Sequence, residues 1–303
     1  MSISECCIKG FRWNGTPTGR TDTLGPNAVY ITGSNPDIAI LFIPDLYGWT
    51  FPNVRLLADH FATEINATVF VPDFFGGEVL DFDLITTNQF SRLDLPGFFS
   101  RNGRTQREPE IFEFARRLRR ELGFRRIGAV GYCYGGWASF RLGAAEHANE
   151  PLVDCISIGH PSLLLKEDIE NVAVPVQVLA PEIDAAYTAE LKTYTFETLQ
   201  RRQVVFDYQH FPGVEHSCFI RGDKTQPGER AAMDRGKNAA VAWFRQHLAE
   251  RAQIIKQDTA AGDMARRAKL LIAWIASQYH KTLTVRHGMF VSLNDFADLY
   301  PKV

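Results

Sequence analysis

Long apolar segments are absent from this chain. No stretch approaches the roughly eighteen consecutive apolar residues that a membrane-spanning helix needs. Residues 1–9 include a glutamate and a lysine and lack the apolar core of a secretory signal peptide. We therefore expect no membrane partner and a cytoplasmic location.

Cysteine is also sparse, with 5 residues at positions 6, 7, 133, 155 and 218. They form no C-x-x-C pair and no spacing typical of a disulfide framework, which favours a reducing compartment. Cys6 and Cys7 are adjacent, but without a nearby histidine they make a poor metal site. The phosphate-binding patterns G-x-x-x-x-G-K-[ST] and G-x-G-x-x-G are missing as well. We expect neither a metal ion nor a nucleotide cofactor.

An excess of charge of one sign is lacking too, since the formal net charge is -2 at pH 7. That balance argues against a general nucleic-acid-binding protein. One basic run lies at residues 116–120, but its acidic neighbours and amphipathic spacing favour a solvated helix face. Hydrophobic residues make up 45% of the chain, which is enough for a large core.

Strand-like and helix-like segments alternate through the chain. Short apolar runs predict strands at residues 28–32, 38–43, 68–71, 126–130, 155–158, 174–179 and 204–211. Amphipathic patterns predict helices at residues 52–64, 108–121, 137–145, 185–201 and 228–250. This alternation predicts an α/β fold, with an edge hairpin followed by a mainly parallel sheet that helices cover on both faces. The ligand site then belongs at the carboxyl ends of the strands.

The segment Gly131-Tyr-Cys-Tyr-Gly-Gly136 joins a predicted strand to a predicted helix. Flanking glycines let the backbone bend sharply, so the central side chain projects at the carboxyl edge of the sheet. The positive end of the following helix favours a thiolate at Cys133, and the N–H of Tyr134 could donate to an oxyanion. We interpret Cys133 as a nucleophile. The alternative is a buried structural cysteine in a tight turn.

Two candidate partners follow later strands. Asp184 lies in a predicted exit loop at residues 181–184, and His216 lies in a Pro/Gly loop after the last strand. The order nucleophile, acid, histidine is that of α/β-hydrolases. Glu182 competes with Asp184, which we favour because it lies deeper in the loop, and either acid could instead cap the next helix. His216 is either a general base or a solvated loop residue, and its position favours the base.

Together these motifs resemble the dienelactone hydrolase family, the carboxymethylenebutenolidase-like branch of the α/β-hydrolases, in its fungal form. The resemblance covers residues 6–248. Its motifs are Cys6-Cys7, Gly10-Phe11, Pro44-Asp-Leu-Tyr-Gly48, Val71-Pro-Asp73, Asp94-Leu-Pro-Gly97, the segment around Cys133, Gly159-His-Pro-Ser162, Pro212-Gly-Val-Glu-His216 and Arg221-Gly-Asp223.

The resemblance implies an α/β-hydrolase domain over residues 1–250 with a triad of Cys133, Asp184 and His216. The implied chemistry is cofactor-free opening of a small lactone or enol ester through an acyl-cysteine, in catabolism or secondary metabolism. The expected partner is thus a small-molecule substrate.

Further roles come from the same resemblance. In the family, an acid in the loop after the strand at residues 38–43 contacts the resting cysteine, and the N–H of the next residue completes the oxyanion hole. Here these residues are Asp45 and Leu46, although the better-known members have a glutamate in place of Asp45. A turn-forming aspartate is the alternative. Arg221 matches an arginine that binds a substrate carboxylate, or it is an ordinary surface arginine.

Additional pocket residues are predicted from their neighbourhood. The segment at residues 75–107 is too irregular for a single helix and is typical of a lid. Tyr47, Trp49 and Trp137 are candidates to line an apolar pocket, with ordinary core packing as the alternative. His160 is either a polar pocket residue or part of a capped turn.

Residues 251–303 form an extension beyond the resemblance, with an amphipathic pattern at residues 261–279 and a strand-like run at residues 282–285. We expect the extension to pack on the body or on a second copy, so a monomer and a homodimer both stay open. Contact with a membrane surface or poor order are the alternatives.

Two other functions also stay open. The same cysteine and histidine could isomerise or cleave a polyketide-type lactone or ring without net hydrolysis. Alternatively, the chain is a non-catalytic binding protein on a hydrolase fold.

Overall fold

An eight-stranded, mainly parallel sheet forms the centre of the computed structural model, which describes residues 10–87, 89–250 and 269. The strands are β1 (Arg20–Leu24), β2 (Asn27–Thr32), β3 (Ile38–Ile43), β4 (Thr68–Pro72), β5 (Arg126–Tyr132), β6 (Cys155–Gly159), β7 (Val176–Ile183) and β8 (Phe206–Glu215). The order across the sheet is β1-β2-β4-β3-β5-β6-β7-β8. β2 is antiparallel to β1 and β4, and the other neighbouring strands are parallel.

Helices flank this sheet. Every residue of β3, β4 and β6 is buried, so the central strands are covered on both faces. The helices are α1 (Pro52–Ile65), α2 (Asp83–Thr86), α3 (Leu95–Arg101), α4 (Arg104–Arg120), α5 (Gly135–Leu142), α6 (Lys166–Asn171), α7 (Ala189–Arg201), α8 (Cys218–Arg221) and α9 (Pro227–Phe244), and a π-helical turn follows at Arg245–Glu250. The predicted α/β architecture is confirmed.

Several helices begin or end at residues whose chemistry favours a helix end. α1 begins at Pro52, whose missing N–H and fixed φ suit the first turn of a helix. It ends at Asn66, which adopts the left-handed φ of 57° that asparagine tolerates better than most residues. α7 begins after Thr188, whose hydroxyl accepts the N–H of Leu191 at 3.2 Å. These residues favour the observed ends of the helices, and tertiary packing then holds the helices against the sheet.

The ends of β7 and β8 differ from the prediction. The sequence analysis placed loops at residues 181–184 and 212–216, but β7 continues to Ile183 and β8 continues to Glu215. The two strands pair in parallel as far as the partners Ile183 and Glu215, with an irregularity between Pro181 and Ile183. Proline is tolerated because β8 is an edge strand and β7 is irregular at this point. The predicted loops were wrong because proline was taken as the end of each strand.

The segment at residues 75–107 is built from short elements, in agreement with the expectation that it is not one helix. It contains α2, α3 and a 3₁₀ turn at Phe90–Arg92. Polar contacts tie its two halves together. Glu78 accepts hydrogen bonds from Arg101 at 2.6 Å and from Asn102 at 2.8 Å, and Arg107 donates to Asn102 at 2.7 Å. The segment is therefore held together by its own hydrogen bonds and is not an open loop.

Several predictions concern residues outside the described ranges. They are the pair Cys6 and Cys7, the helical pattern at residues 261–279 and the strand-like run at residues 282–285. Within the ranges that are described, no helix combines the length and the apolarity needed to cross a bilayer.

Candidate active site

Cys133 lies at a sharp turn between β5 and α5. Its backbone adopts a left-handed φ of 51°. Its N–H donates to the carbonyl of Gly159 at 3.1 Å, and its own carbonyl accepts the N–H of Gly136 at 3.1 Å. A left-handed backbone is unfavourable for a residue with a Cβ, so the surrounding structure must impose it. The turn has the strand-to-helix geometry that the sequence predicted.

Two glycines allow this close packing. A Cβ at Gly135 would lie 2.2 Å from the carbonyl oxygen of Ile43 on β3. A Cβ at Gly136 would lie 2.4 Å from the Cβ of Pro161, in the loop after β6. Both distances are far below van der Waals contact. The first turn of α5 is thus held directly against β3 and the loop after β6, beside Cys133.

Asp184 and His216 follow the paired ends of β7 and β8. The N–H of His216 donates to the carbonyl of Ile183 at 2.8 Å, and the ring Nδ1 lies 2.8 Å from Oδ1 of Asp184. Both side chains are fully buried. The same carboxylate oxygen accepts the N–H groups of Ala186 at 2.9 Å and Tyr187 at 2.8 Å. The acid that orients the histidine is therefore itself fixed by the backbone.

The competing acid, Glu182, lies elsewhere. Its carboxylate accepts the N–H of Gly213 at 2.7 Å, across the two strands, and the side chain is exposed. Glu182 and Asp184 are two residues apart and would share a face of a regular strand, but the pairing of β7 with β8 is irregular between Pro181 and Ile183. The structure brings Asp184, and not Glu182, to His216.

Ser162 lies between Cys133 and His216. Its Oγ lies 3.3 Å from Sγ of Cys133 and 3.5 Å from Nε2 of His216. This serine belongs to a motif of the family resemblance, but no role was predicted for it. Its position after β6, at the same carboxyl edge of the sheet as Cys133 and His216, is the signal that could have pointed to it.

Asp45 and Arg221 form a buried ion pair. Nε of Arg221 lies 2.6 Å from Oδ2 of Asp45, and the guanidinium carbon lies 4.8 Å from the centre of the Tyr47 ring. The other oxygen of Asp45 accepts the N–H of Tyr47 at 3.0 Å. Burial disfavours the charged guanidinium, but Asp45, together with Tyr47 and Cys133, outweighs that effect, and the pKa of Arg221 is raised above its ordinary value.

This pairing bears on two predicted roles. Arg221 is buried and not the surface arginine that was the alternative. Asp45 faces Arg221, whereas the thiol of Cys133 hydrogen-bonds to Ser162. A contact of Asp45 with the resting cysteine and of Arg221 with a substrate carboxylate both remain predictions.

Asn53 anchors the turn that carries Arg221, and the sequence analysis missed it. This buried side chain on α1 donates to the carbonyl of Ile220 at 2.9 Å and to that of Phe11 at 2.7 Å, and its oxygen accepts the N–H of Trp13 at 2.7 Å. A single amide thus connects α1, the N-terminal segment and α8.

Leu46 and Tyr134, the predicted oxyanion-hole residues, are both buried beside the turn. The hydroxyl of Tyr134 donates to the carbonyl of Asn102 at 2.8 Å, and its ring packs edge-on against Phe75 with centroids 5.0 Å apart. Burial raises the pKa of this phenol above its ordinary value. The residue after Cys133 is thereby tied to the segment at residues 75–107.

The predicted pocket aromatics have well-defined neighbours. Tyr47 packs against Phe51 and Phe82, with centroids 5.4 Å and 5.0 Å away. Trp137 is fully buried with Arg104 5.0 Å above its ring, and the half-buried Trp49 is covered by Arg55 at 4.8 Å. These contacts account for the packing of all three residues, and a role in binding substrate stays a prediction.

His160 lies next to the ring of His216. Its backbone has a left-handed φ of 38°, and its ring is stacked on Phe219 with centroids 5.4 Å apart. The centre of the His216 ring is 4.8 Å away. Burial, with smaller contributions from His216 and Arg221, holds the pKa of His160 well below its ordinary value. This imidazole is therefore neutral at pH 7.

The fold is that of an α/β-hydrolase, with a sharp strand-to-helix turn at Cys133 after β5, an aspartate after β7 and a histidine after β8. The sequence profile of the dienelactone hydrolase family matches residues 27–248. The chain belongs to that family, and it is a hydrolase that acts on ester or lactone bonds.

Individual relatives agree with this membership. The chain is 28% identical over 249 residues to hydrolase pyvD of Aspergillus violaceofuscus, in a match that covers 81% of this chain and 97% of that protein. It is 24% identical over 246 residues to the carboxymethylenebutenolidase homolog of Homo sapiens, with 80% and 96% covered.

A solved structure supports the fold. A dienelactone hydrolase-like promiscuous phosphotriesterase from metagenomic libraries matches with a TM-score of 0.60 and 17% identity, covering 76% of this chain and 98% of that one. At that identity the likeness concerns the fold alone.

Proposed function

We propose that this protein opens a small lactone or enol ester with Cys133 as nucleophile, His216 as general base and Asp184 as the acid that orients it. The observation that carries the proposal is the contact of 2.8 Å between the buried side chains of His216 and Asp184, at the same sheet edge as the strained turn of Cys133. An imidazole with a fixed carboxylate on Nδ1 presents Nε2 as its basic atom. That is the arrangement that a cysteine hydrolase requires.

In the proposed reaction, the sulfur attacks the carbonyl carbon and the backbone N–H groups of Leu46 and Tyr134 stabilise the oxyanion. A single donor of this kind typically contributes about 3 kcal/mol. The ring C–O bond then breaks, which leaves an acyl-cysteine and an enolate or alkoxide that takes up, from His216, the proton that the thiol had given to it. The neutral His216 next removes a proton from water, and the resulting hydroxide cleaves the thioester and releases the Cys133 thiolate, which takes that proton back.

The proposed substrate carries a carboxylate near its lactone ring. Arg221 is a buried cation that presents donors suited to a carboxylate, and Asp45, with which it forms an ion pair, is of the same chemical type. A substrate carboxylate would therefore exchange with Asp45 on the guanidinium. Such a group also suits the relationship to a carboxymethylenebutenolidase homolog, whose name denotes a carboxylated enol lactone.

The test compares the wild type with Cys133→Ala on a carboxylated enol lactone in water enriched in oxygen-18. Cys155→Ala is the matched control, since it also removes a buried thiol, in this case one on β6. We expect the control to open the lactone and place one oxygen-18 atom in the product, and Cys133→Ala to be inactive. Full activity of Cys133→Ala would refute the nucleophile, and product without oxygen-18 would indicate an isomerase or lyase.

A further inference from the structure

A hydroxyl group stands between the two groups that must exchange a proton. Ser162 Oγ lies 3.3 Å from the sulfur of Cys133 and 3.5 Å from Nε2 of His216. A hydroxyl can donate one hydrogen bond and accept another at the same time. These contacts connect sulfur, hydroxyl, imidazole and carboxylate in one row that ends at Asp184.

The position of Ser162 is built into the turn. Its backbone N–H donates to the carbonyl of Cys133 at 2.8 Å, so the serine is held to the nucleophile by the main chain. The preceding Pro161 lies against Gly136, where no side chain would fit. The backbone at Leu163 is left-handed, with φ of 57°, and this turns the chain away immediately after the serine. The loop therefore places this hydroxyl with respect to the sulfur itself.

The direction of the hydrogen bonds follows from Asp184. An ionised carboxylate only accepts, so the Nδ1 atom that faces Asp184 carries a hydrogen. Nε2 of the neutral ring is then an acceptor, and the Ser162 hydroxyl donates to it. The remaining lone pairs of Oγ can accept the S–H of Cys133. This is the orientation in which a proton can travel from the sulfur to the ring.

We propose that Ser162 is a proton relay between Cys133 and His216, an inference that rests on Cys133 being the nucleophile. The S–H proton passes to Oγ while the hydroxyl proton passes to Nε2. The serine is unchanged, the sulfur becomes a thiolate and the ring becomes an imidazolium. In the product state Nε2–H donates to Oγ and the hydroxyl donates to the thiolate. The same row of hydrogen bonds therefore stabilises the charges that it has created.

Burial makes such a relay useful. Cys133 and His216 are 1% and 2% exposed, so bulk water has little access to either group. A charged pair in a low-dielectric site depends on the hydrogen bonds that the protein itself supplies. Removing the hydroxyl takes away a donor to the thiolate and the path of its proton, while the nucleophile and the base stay in place.

The experiment measures the pH dependence of Cys133 alkylation by iodoacetamide, mapped by mass spectrometry, in the wild type and in Ser162→Ala. We expect the midpoint of the profile to rise by about one pH unit and the rate at pH 7 to fall about tenfold in Ser162→Ala, the effect of losing one charge-assisted hydrogen bond. Ser162→Thr keeps a hydroxyl and is expected to restore most of the rate.

Ser139→Ala is the control for loss of a buried hydroxyl near the turn. The hydroxyl of Ser139 donates to the carbonyl of Gly135 within α5, and its loss should leave the alkylation profile unchanged. A Ser162→Ala profile that coincides with that of the wild type would overturn the relay while leaving Cys133 as the nucleophile. If the wild-type Cys133 is not alkylated, or if Cys133→Ala is active, the proposed function falls and the relay with it.

Discussion

Nε of Arg221 lies 2.6 Å from a carboxylate oxygen of Asp45, and neither side chain has exposed surface. Removing a buried ion pair as a whole is often tolerated, whereas removing one partner leaves an uncompensated charge. The pair thus couples the loop after β3 to α8.

A double-mutant cycle should reveal this coupling. We expect Asp45→Asn and Arg221→Gln each to lower the free energy of unfolding by about 3 kcal/mol, because each leaves the other charge buried. The double variant Asp45→Asn/Arg221→Gln should be destabilised by less than the sum. Denaturant unfolding measures all of these values. Glu190→Gln, at an exposed pair with Lys166, should have no measurable effect, and additive losses at the buried pair would contradict the coupling.

The same double variant tests how the substrate is selected. It removes both charges of the pair, so we expect KM for a carboxylated lactone to rise about tenfold or more, while KM for the neutral methyl ester of that lactone changes little. Steady-state kinetics on the two substrates gives the ratio. An unchanged preference for the carboxylate would mean that another group binds it.

Substitutions at Asp184 should separate two effects on kcat, that of the carboxylate charge and that of the hydrogen bond that orients the His216 ring. Its Oδ1 accepts two backbone N–H groups as well as facing Nδ1 of His216, so Asp184→Asn can keep an oxygen at this point and preserve the ring tautomer. We expect kcat to fall about tenfold to a hundredfold from the loss of charge, and further in Asp184→Ala. Glu182→Gln is the control and should retain its kcat. Equal kcat values for the asparagine and alanine variants would contradict this account.

Gly136→Ala should destabilise the protein. The new Cβ would lie 2.4 Å from Pro161, so the loop after β6 must move or α5 must shift, at a cost of about 1–3 kcal/mol. Gly228→Ala is the matched control, because that position near the start of α9 has open space around it and alanine favours a helix by roughly 1 kcal/mol. Thermal unfolding should lower Tm for the first variant and leave it unchanged or raise it for the second.

His160 should make the fold sensitive to acid. Its pKa is held below the ordinary value of 6.5, so only the unfolded chain takes up this proton as the pH falls below 6.5. Stability is then lost with decreasing pH, by up to about 1.4 kcal/mol per pH unit from this residue. Above pH 6.5 the ring is neutral in both states and contributes no slope.

The His160→Gln variant should therefore show a shallower decline of unfolding free energy between pH 6.5 and pH 5 than the wild type. His60→Gln removes an exposed histidine on α1 and should keep the wild-type slope. Parallel curves for His160→Gln and the wild type would exclude His160 as the source.

Much of the fold could be predicted because its signals are local. β3 was predicted with the same bounds as observed, since an uninterrupted apolar run is typical of a buried parallel strand. The helix after Cys133 was predicted to begin at residue 137, whereas α5 begins at Gly135. Glycine has low helix propensity, but here close packing against Ile43 and Pro161 outweighs it. The four-residue helix α8 is too short for any periodicity to show.

Glycines and strand order pointed to Cys133, Asp184 and His216, whose catalytic roles stay predictions. The pairings around them could not be predicted. The contact of Ser162 with the sulfur depends on left-handed backbone at His160 and Leu163, which these residue types do not signal. The pairing of Asp45 with Arg221 joins distant parts of the chain and depends on tertiary packing around α8.

The parallel pairing of Ile183 with Glu215 also limits how this family can change in length. Asp184 and His216 are the residues that immediately follow these partners, and a strand alternates the direction of its side chains at every residue. One residue inserted in β7 alone would turn the acid away from the imidazole and shift it along the ladder. Homologues should therefore accept insertions near this edge only where both strands lengthen together, so that the acid and the base are inherited as one unit.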